Sequence, residues 1–175
     1  MELHNIELSE IAPFFDSIGQ DKELVMMDAK SAMASRFVTG IRSNNELVGL
    51  AGIRMRYGLI PSLFIVVKVE YRRTGLGSKL LEKCLPFAQE NYGYLTLATR
   101  DTKEYEPALR LYKKYGFQIF RKSGHHIRMC VFFNKKGKIA SKFLPYVYFL
   151  LAFGRFRKEF TLVNEELPKE ISNNE

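Results

Sequence analysis

A buried strand that turns through a basic, glycine-containing loop into a helix is the feature that most constrains this chain. Residues 63–67 form an uninterrupted run of apolar strand formers, which is typical of a strand buried on both faces. After the loop, apolar residues recur at helical spacing, so the predicted helix begins close to Gly75 and Gly77. Unpaired N–H groups of a first helical turn, next to glycines that let a ligand approach, predict a phosphate or pyrophosphate site.

The spacing of the loop excludes two common phosphate-binding signatures. A P-loop needs a glycine followed by Lys and then Ser or Thr, and no glycine of the loop is followed in that way. A dinucleotide-binding fingerprint needs a third glycine at the position of Leu80. The pattern that remains is R-x-x-G-x-G, formed by Arg72, Gly75 and Gly77.

A second motif follows further along the chain. Residues 108–117 read Ala-Leu-Arg-Leu-Tyr-Lys-Lys-Tyr-Gly-Phe, a predicted helix that ends on a glycine and leads into a strand. The two motifs occur in this order, with strand-like residues 94–99 between them. Together they resemble the GCN5-related N-acetyltransferase (GNAT) superfamily, whose members have [RQ]-x-x-G-x-[GA] and then A-x-x-L-Y-x-x-x-G-F. The resemblance covers residues 3 to 134.

The resemblance implies an α+β fold: a mixed, mostly antiparallel sheet of about six to seven strands with helices on both faces. It also implies an acetyl-CoA-dependent N-acetyltransferase. In the family, the loop backbone binds the pyrophosphate of CoA, and the preceding strand pairs with the pantetheine arm. The implied cofactor-binding residues are Val67, Lys68, Val69, Arg72, Arg73, Thr74, Gly75, Leu76, Gly77 and Ser78.

Tyr112 is the implied catalytic residue, because many relatives have a tyrosine here that protonates the departing thiolate of CoA. Its helical spacing with Leu111 and Tyr115 equally describes a buried helix face, so a packing role stays open. Core packing is the prediction for Tyr115. The general base stays open, since the carboxylate that several members carry on the cofactor strand is missing at residues 61–64. The candidates are Glu70, Asp101, Glu104, Glu106, His125 and His126.

The hydropathy pattern predicts the element order β-α-α-β-β-β-α-β-α-β-β for a GNAT-like domain over residues 1–138. Ser9 is the predicted N-cap of the first helix, and a second helix is predicted over residues 21–35. Strands over 36–42 and 46–53 are predicted to meet in a hairpin turn at Asn44 and Asn45. Within the helix after the glycine loop, Pro86 predicts a kink or an interruption.

Charge and cysteine content narrow the partners and the compartment. A formal net charge of +8 favours anionic partners, which include CoA, nucleic acid and acidic membrane. Nucleic acid is disfavoured because no nucleic-acid-binding motif accompanies the charge. Two cysteines are too few for a disulfide framework, and the start of the chain carries no signal-peptide pattern. We therefore expect a cytoplasmic protein, without a metal site.

Residues 139–160 form a predicted hydrophobic extension. Within it, the apolar and aromatic run 143–153 is too short to span a bilayer as a helix. Three alternatives stay open: packing on the domain, a homodimer interface, or, less favoured, contact with a membrane surface or an acidic partner. Residues 161–175 are predicted to be a disordered acidic tail.

The sequence thus predicts direct transfer of an acetyl group from acetyl-CoA to a primary amine of a small molecule or a peptide. A catalytically inactive CoA-binding module or interaction protein is the alternative. It is supported by the missing strand carboxylate and by Tyr105, which stands where relatives often have a CoA-contacting Asn. The acceptor itself has no recognisable signature.

Overall fold

The computed structural model describes residues 3–18 and 28–143 of the chain. The strands are β1 (Leu3–Asn5), β2 (Phe37–Ser43), β3 (Glu46–Arg56), β4 (Ile60–Val67), β5 (Tyr94–Arg100), β6 (Gln118–Ser123) and β7 (His126–Phe132). The helices are α1 (Leu8–Ser17), α2 (Ala29–Met33), α3 (Leu76–Asn91), α4 (Glu106–Lys114) and α5 (Lys135–Lys142), with short 3-10 helices at Val69–Tyr71 and Lys103–Tyr105. The chain divides between Ser141 and Lys142 into two units, and the sheet and site described below lie in the first.

The strands form one mixed sheet in the order β1-β2-β3-β4-β5-β7-β6. Neighbouring strands are antiparallel except β4 and β5, which run parallel because the α3 crossover separates them in the chain. The predicted element order is confirmed from β1 through β7. The predicted fold class, a mostly antiparallel mixed sheet with helices on both faces, is also confirmed.

Each face of the sheet carries its own core. On the α3/α4 face, Leu80 of α3 and Tyr112 of α4 belong to the larger cluster of buried residues. On the α1/α2 face, Phe14 of α1 packs in a smaller cluster with Phe64 of β4. Because side chains alternate along a strand, those of Leu63, Ile65 and Val67 lie on the α3/α4 face, and those of the residues between them lie on the α1/α2 face.

A tight turn and a long strand pairing set the register of the central strands. Asn44 and Asn45 have φ angles of 50° and 65°, as the predicted turn requires, because both central residues of a type I′ turn are left-handed. Strand β3 continues beyond its predicted end at Ile53 because it pairs with β4 as far as Arg56. This extension places Arg54 and Arg56 within the sheet.

Helix α1 begins two residues earlier than predicted. Its N-cap is Glu7 rather than Ser9, and the backbone N–H of Glu7 donates to the Glu10 carboxylate at 3.2 Å. Such a reciprocal capping arrangement satisfies the first amides of a helix without a serine. The second predicted helix is described only as α2, which Asp28 caps. Residues 21–27 of that prediction lie outside the described residues.

Helix α3 continues through Pro86 to Asn91, so Pro86 does not interrupt it, and the kink that was the other expectation stays a prediction. A proline inside a helix removes the hydrogen bond to the carbonyl one turn earlier, here that of Glu82. Both Pro86 and Glu82 are exposed, so water can bond this carbonyl. The buried residues of α3 lie on its other side, where the packing against the sheet holds the helix together.

The basic residues after β7 form α5, a helix that the pattern did not predict. The apolar run predicted over 143–153 lies outside the described residues after Phe143, as does the predicted tail over 161–175. Among the helices of the described residues, none is long and apolar enough to cross a membrane.

Candidate active site

Strands β4 and β5 are paired over a short stretch and then separate. Ser62 pairs with Thr96 and Leu63 with Leu97, and no later described residue of β4 pairs with β5. On its other side, β4 stays paired with β3 to its end. The edge of β4 over residues 64–67 is therefore open.

The open edge presents the backbone of Ile65 and Val67. The N–H of Lys68 donates to the Val48 carbonyl of β3 at 3.0 Å. In an antiparallel pair every second residue directs its N–H and C=O to the same neighbour, so Ile65 and Val67 direct theirs away from β3. The Val67 carbonyl accepts a hydrogen bond from Arg72 Nε at 3.1 Å.

The loop after β4 enters α3 through a left-handed residue. Gly75 is the N-cap with φ 87°, and nothing lies within 4 Å of the position that a Cβ would take there. The N–H of Ser78 donates to the Gly75 carbonyl at 3.1 Å. Leu76 and Gly77 hold the first two helical positions, where no carbonyl of the helix can accept their N–H groups. These two amides, at the positive end of the helix dipole, suit an anion.

Further contacts fix the shape of this loop. The Thr74 hydroxyl donates to the Tyr71 carbonyl at 2.6 Å. Arg73 is left-handed at φ 64°, which is uncommon for a residue with a side chain. A Cβ at Gly77 would lie 3.3 Å from Leu111 Cδ2, so this glycine lets α3 approach α4 closely.

The open strand edge and the loop line one cavity of about 680 Å³. This volume is typical of small-molecule sites. Its wall also includes Ala98 and Thr99 of β5 and Ala108 of α4. The sequence-predicted residues that line it are Val67, Val69, Arg72, Arg73, Gly75, Gly77, Ser78 and Tyr112.

The other three predicted cofactor residues, Lys68, Thr74 and Leu76, do not line the cavity. Lys68 is 6% exposed, and its ammonium pairs with the Glu46 carboxylate at the start of β3. Strand alternation places this side chain on the α1/α2 face, away from the loop. The side chain of Leu76 is buried in the α3/α4 core. The predicted extended backbone also ends early, since Val69 begins a 3-10 helix.

Tyr112 forms part of the cavity wall and is 8% exposed. Its ring packs edge-on against Phe117 with 5.9 Å between centroids. Burial, with a smaller contribution from Tyr105, raises the pKa of Tyr112 to about 12. The phenol is therefore protonated at neutral pH and can act as a hydrogen-bond donor.

Tyr115, one turn further along, is partly buried against the same core. Its hydroxyl donates to the Glu82 carboxylate of α3, and this hydrogen bond raises the pKa of Tyr115. Tyr115 does not line the cavity.

Glu104 is the one candidate base that lines the main cavity within the described residues. A hydrogen bond from the Thr102 side chain, followed by one from its own backbone N–H, lowers the pKa of this carboxyl. Its neighbour Tyr105 also lines the cavity and lies beneath the Arg100 guanidinium, with 6.0 Å from Cζ to the ring centroid.

The remaining candidate bases lie elsewhere. Asp101 pairs with Lys122, and the hydrogen bond from this lysine lowers the pKa of the carboxyl. Glu106 pairs with Arg110 at 3.2 Å and lines a second cavity beside Arg73. The remaining three, Glu70, His125 and His126, do not line the main cavity.

Sequence reasoning missed the part of the cavity wall on the α1/α2 face. Arg54, Arg56, Ser62 and Phe64 line it from β3 and β4. These strand residues carry no spacing signature. The register of β3 against β4 would have revealed them, but the pattern ended β3 at Ile53.

Metal and thiol chemistry have little support in the described part of the chain. It contains no group of three or more His, Cys, Asp or Glu side chains that could hold a metal ion. Cys84 and Cys130 are free, buried and absent from the cavity wall. Burial raises the pKa of both thiols to about 12.

The loop side of the cavity fits an elongated, anionic, amide-containing ligand such as acetyl-CoA. The Leu76 and Gly77 amides and the nearby Arg72 and Arg73 side chains suit a pyrophosphate. The open edge of β4 suits a ligand that adds its own amides to the sheet as a further strand.

Comparisons with known proteins agree with this fit. The model of the Acetyltransferase (GNAT) family matches residues 3–117. No curated protein sequence matches the chain.

Among solved structures, yncA, a putative acetyltransferase of Salmonella typhimurium with its cofactor acetyl-CoA, is 14% identical with a TM-score of 0.61. That match covers 77% of this chain and 94% of yncA. Ard1 of Thermoplasma volcanium is 19% identical over 77% of this chain and 98% of its own, with a TM-score of 0.62. An acetyltransferase of the GNAT family from Streptococcus pneumoniae is 20% identical over 75% and 98%, with a TM-score of 0.59. The family match extends over more than half of the chain, and the chain therefore belongs to the GNAT family of acetyltransferases, whose cofactor is acetyl-CoA.

Proposed function

We propose that this protein is an N-acetyltransferase that transfers the acetyl group directly from acetyl-CoA to a primary amine. The observation that carries the proposal is the position of Tyr112, a buried and protonated phenol in the wall of the cavity that opens between β4 and β5. When bound, acetyl-CoA supplies a thioester whose carbonyl carbon accepts the amine and whose sulfur leaves as a thiolate.

Backbone groups do most of the binding in this proposal. The Leu76 and Gly77 amides hold the pyrophosphate, with Arg72 and Arg73 adding charge. Peptide groups of Ile65 and Val67 pair with the pantetheine arm along the open edge of β4. A strand N–H at this edge donates to the carbonyl oxygen that gains negative charge as the amine attacks.

Tyr112 supplies a hydrogen bond at the other end of the reacting bond. As the bond from the amine nitrogen to the carbonyl carbon forms, the carbon–sulfur bond breaks and its electron pair remains on sulfur. The Tyr112 hydroxyl donates to this sulfur, which stabilises the leaving group. A phenol whose pKa is about 12 is present in its donor form throughout the neutral range.

Glu104 attracts the acceptor rather than taking its proton. A carboxyl with a lowered pKa is ionised at neutral pH, so it binds an ammonium group well but holds a proton weakly. In this proposal, water in the cavity accepts the proton that the amine loses.

Direct transfer is favoured over a route through an acetylated cysteine. Neither Cys84 nor Cys130 lines the cavity. Thiols whose pKa is about 12 are almost entirely protonated at neutral pH and are weak nucleophiles.

The proposal is tested by incubating the protein with acetyl-CoA and a panel of primary amines. Free thiol is recorded against an amine-free control, and mass spectrometry identifies the products. The expected result is release of CoA that depends on the amine and equals the N-acetylated product formed. Acetyl-CoA binding without amine-dependent release would contradict the proposal and favour a CoA-binding module.

A further inference from the structure

Two arginines line the cavity from the face of the sheet opposite the glycine loop. Arg54 and Arg56 lie in β3, and Arg54 pairs with Ser62 of β4. Directly paired residues project to the same face, which places both arginines on the α1/α2 face, with Phe64. Arg72 and Arg73 lie in the loop, next to the amides that we assign to the pyrophosphate of the cofactor. The arginines of β3 line a separate part of the wall and can bind a second anion there.

This cationic site lies beside the point where β4 and β5 separate. Ser62, the partner of Arg54, and its neighbour Leu63 are the residues at which β4 pairs with β5. A thioester at the inner end of the open β4 edge would lie next to these residues. Opposite residues of an antiparallel pair have Cβ atoms about 5 Å apart. Arg54 therefore lies beside the region of the thioester, so an amine at the thioester and an anion bound by Arg54 can belong to one small molecule.

On the β5 side of the gap, Arg100 does not line the cavity, but its guanidinium lies over the ring of Tyr105, which does. Thr96 pairs with Ser62, so alternation along β5 places Ala98 and Arg100 on the α1/α2 face as well. Arg100 Nε is the buried side-chain nitrogen that has no hydrogen-bond partner among the described residues. Such a group is costly to bury unless a water or a ligand bonds it.

Charge balance in the wall points to the same kind of ligand. Glu104 is the only carboxylate among the described residues that line the cavity, whereas four arginines line it. Arginine side chains bind carboxylates and phosphates through paired hydrogen bonds. An amine that also carries an anion can bond to the β3 arginines, which an amine without one cannot do.

We propose that the acceptor is a small primary amine that carries a carboxylate or phosphate a few bonds from its nitrogen, bound through Arg56 and Arg54. Glu104 would attract the ammonium group of the same molecule. This inference rests on the proposed N-acetyltransferase function and narrows its substrate class.

The test compares three amines of similar size: β-alanine, 2-aminoethyl phosphate and β-alaninamide, which has no anionic group. The ratio kcat/KM is measured for the wild type, for Arg56→Gln and for Arg56→Lys. Lys83→Gln, which removes one charge from the exposed side of α3, is the matched control. The dissociation constant for acetyl-CoA and the thermal unfolding midpoint confirm that each variant is folded.

The expected result is a kcat/KM at least about tenfold higher for one anionic amine than for β-alaninamide, since a bond to a charged group discriminates at this level. The better of the two anionic amines identifies the anionic group. Arg56→Gln should abolish the preference, Arg56→Lys should retain part of it, and Lys83→Gln should retain all of it. Equal values for all three amines would overturn this inference and leave N-acetyl transfer intact.

If no amine is acetylated, binding separates the two proposals. The CoA-loaded protein is then titrated with N-acetyl-β-alanine and with its uncharged amide. Preferential binding of the anion that Arg56→Gln abolishes would support the anion site although the proposed reaction had failed. Equal binding of both probes would overturn the anion site too.

Discussion

The two sides of the cavity are built from different parts of the chain. The loop side presents backbone amides at a left-handed glycine and a helix start. The α1/α2 side presents the side chains of Arg54, Arg56 and Ser62, whose place in the wall depends on strand register. The loop side suits a cofactor shared by a whole family, because it needs few particular side chains. The α1/α2 side can change with each acceptor.

The largest expected effect is the loss of turnover when the Tyr112 hydroxyl is removed. We expect Tyr112→Phe to lower kcat by about 10²- to 10⁴-fold, the usual contribution of a positioned proton donor. The dissociation constant for acetyl-CoA should change little, because the backbone of the loop and of β4 binds the cofactor.

Tyr115→Phe is the matched control for that variant. It removes a hydroxyl from the same helical region, but this hydroxyl bonds to Glu82 outside the cavity. Its kcat should remain close to the wild-type value. Equal losses in the two variants would show that the helix, rather than the Tyr112 hydroxyl, matters for turnover.

The second prediction tests how well each face of the sheet excludes water, using one buried thiol on each face as the probe. Cys84 lies in the α3/α4 core, whereas alternation from Met129 places Cys130 on the opposite face. Burial raises both pKa values from 9.0 to about 12, so the unfolded chain loses these protons first as the pH rises. The free energy of unfolding should therefore fall above pH 9, by about 1.4 kcal/mol per pH unit for each thiol.

Chemical denaturation between pH 8 and 11 measures this slope. Cys84→Ala and Cys130→Ala should each remove about half of the thiol contribution, whatever their effect at pH 8. A slope that responds to one variant alone would show that the face carrying the other thiol admits water.

The third and smallest effect concerns Lys68, which the sequence assigned to the cofactor. Glu46→Gln leaves the buried Lys68 ammonium without its counter-charge, and we expect a loss of about 1–3 kcal/mol in the free energy of unfolding. Asp101→Asn breaks the exposed pair with Lys122 and should cost less stability than Glu46→Gln, because solvent screens an exposed pair. A weaker affinity of Glu46→Gln for acetyl-CoA would indicate that the Lys68 side chain contributes to cofactor binding.

What the sequence predicted at the site, and what it did not, differs between the loop side and the α1/α2 side of the cavity. The strand, the glycine loop and the α4 motif could be predicted from the sequence. A left-handed N-cap and a helix start need particular residues at fixed spacing. The direction of the Lys68 side chain was not predicted, because the loop pattern does not show which face of the sheet a flanking side chain takes; a cofactor role for its backbone stays a prediction. Arg54 and Arg56 were missed because their role depends on a pairing with β4 that leaves no local signature.

The same reasoning explains what could be predicted of the fold. Hydrophobic periodicity and the Asn44-Asn45 turn are local signals, and they predicted the element order. The N-cap at Glu7 was missed because a glutamate cap depends on its reciprocal bond with Glu10. Pro86 was misjudged because its cost depends on whether the orphaned carbonyl is exposed.

The central claim is that acetyl-CoA binds against the backbone of the glycine loop. Calorimetric titration of Gly75→Ala tests it most directly, because a Cβ at Gly75 meets no atom within 4 Å and acts only through the backbone at φ 87°. Gly124→Ala is the matched control, since Gly124 is left-handed at φ 54°, lies in the β6–β7 turn and is equally uncrowded.

We predict that the wild type and Gly124→Ala bind acetyl-CoA with similar dissociation constants. Gly75→Ala should bind about tenfold or more weakly, because its strain of about 1–2 kcal/mol is relieved by moving the Leu76 and Gly77 amides. Unchanged affinity in Gly75→Ala, or equal losses in both variants, would contradict the claim that this loop holds the cofactor.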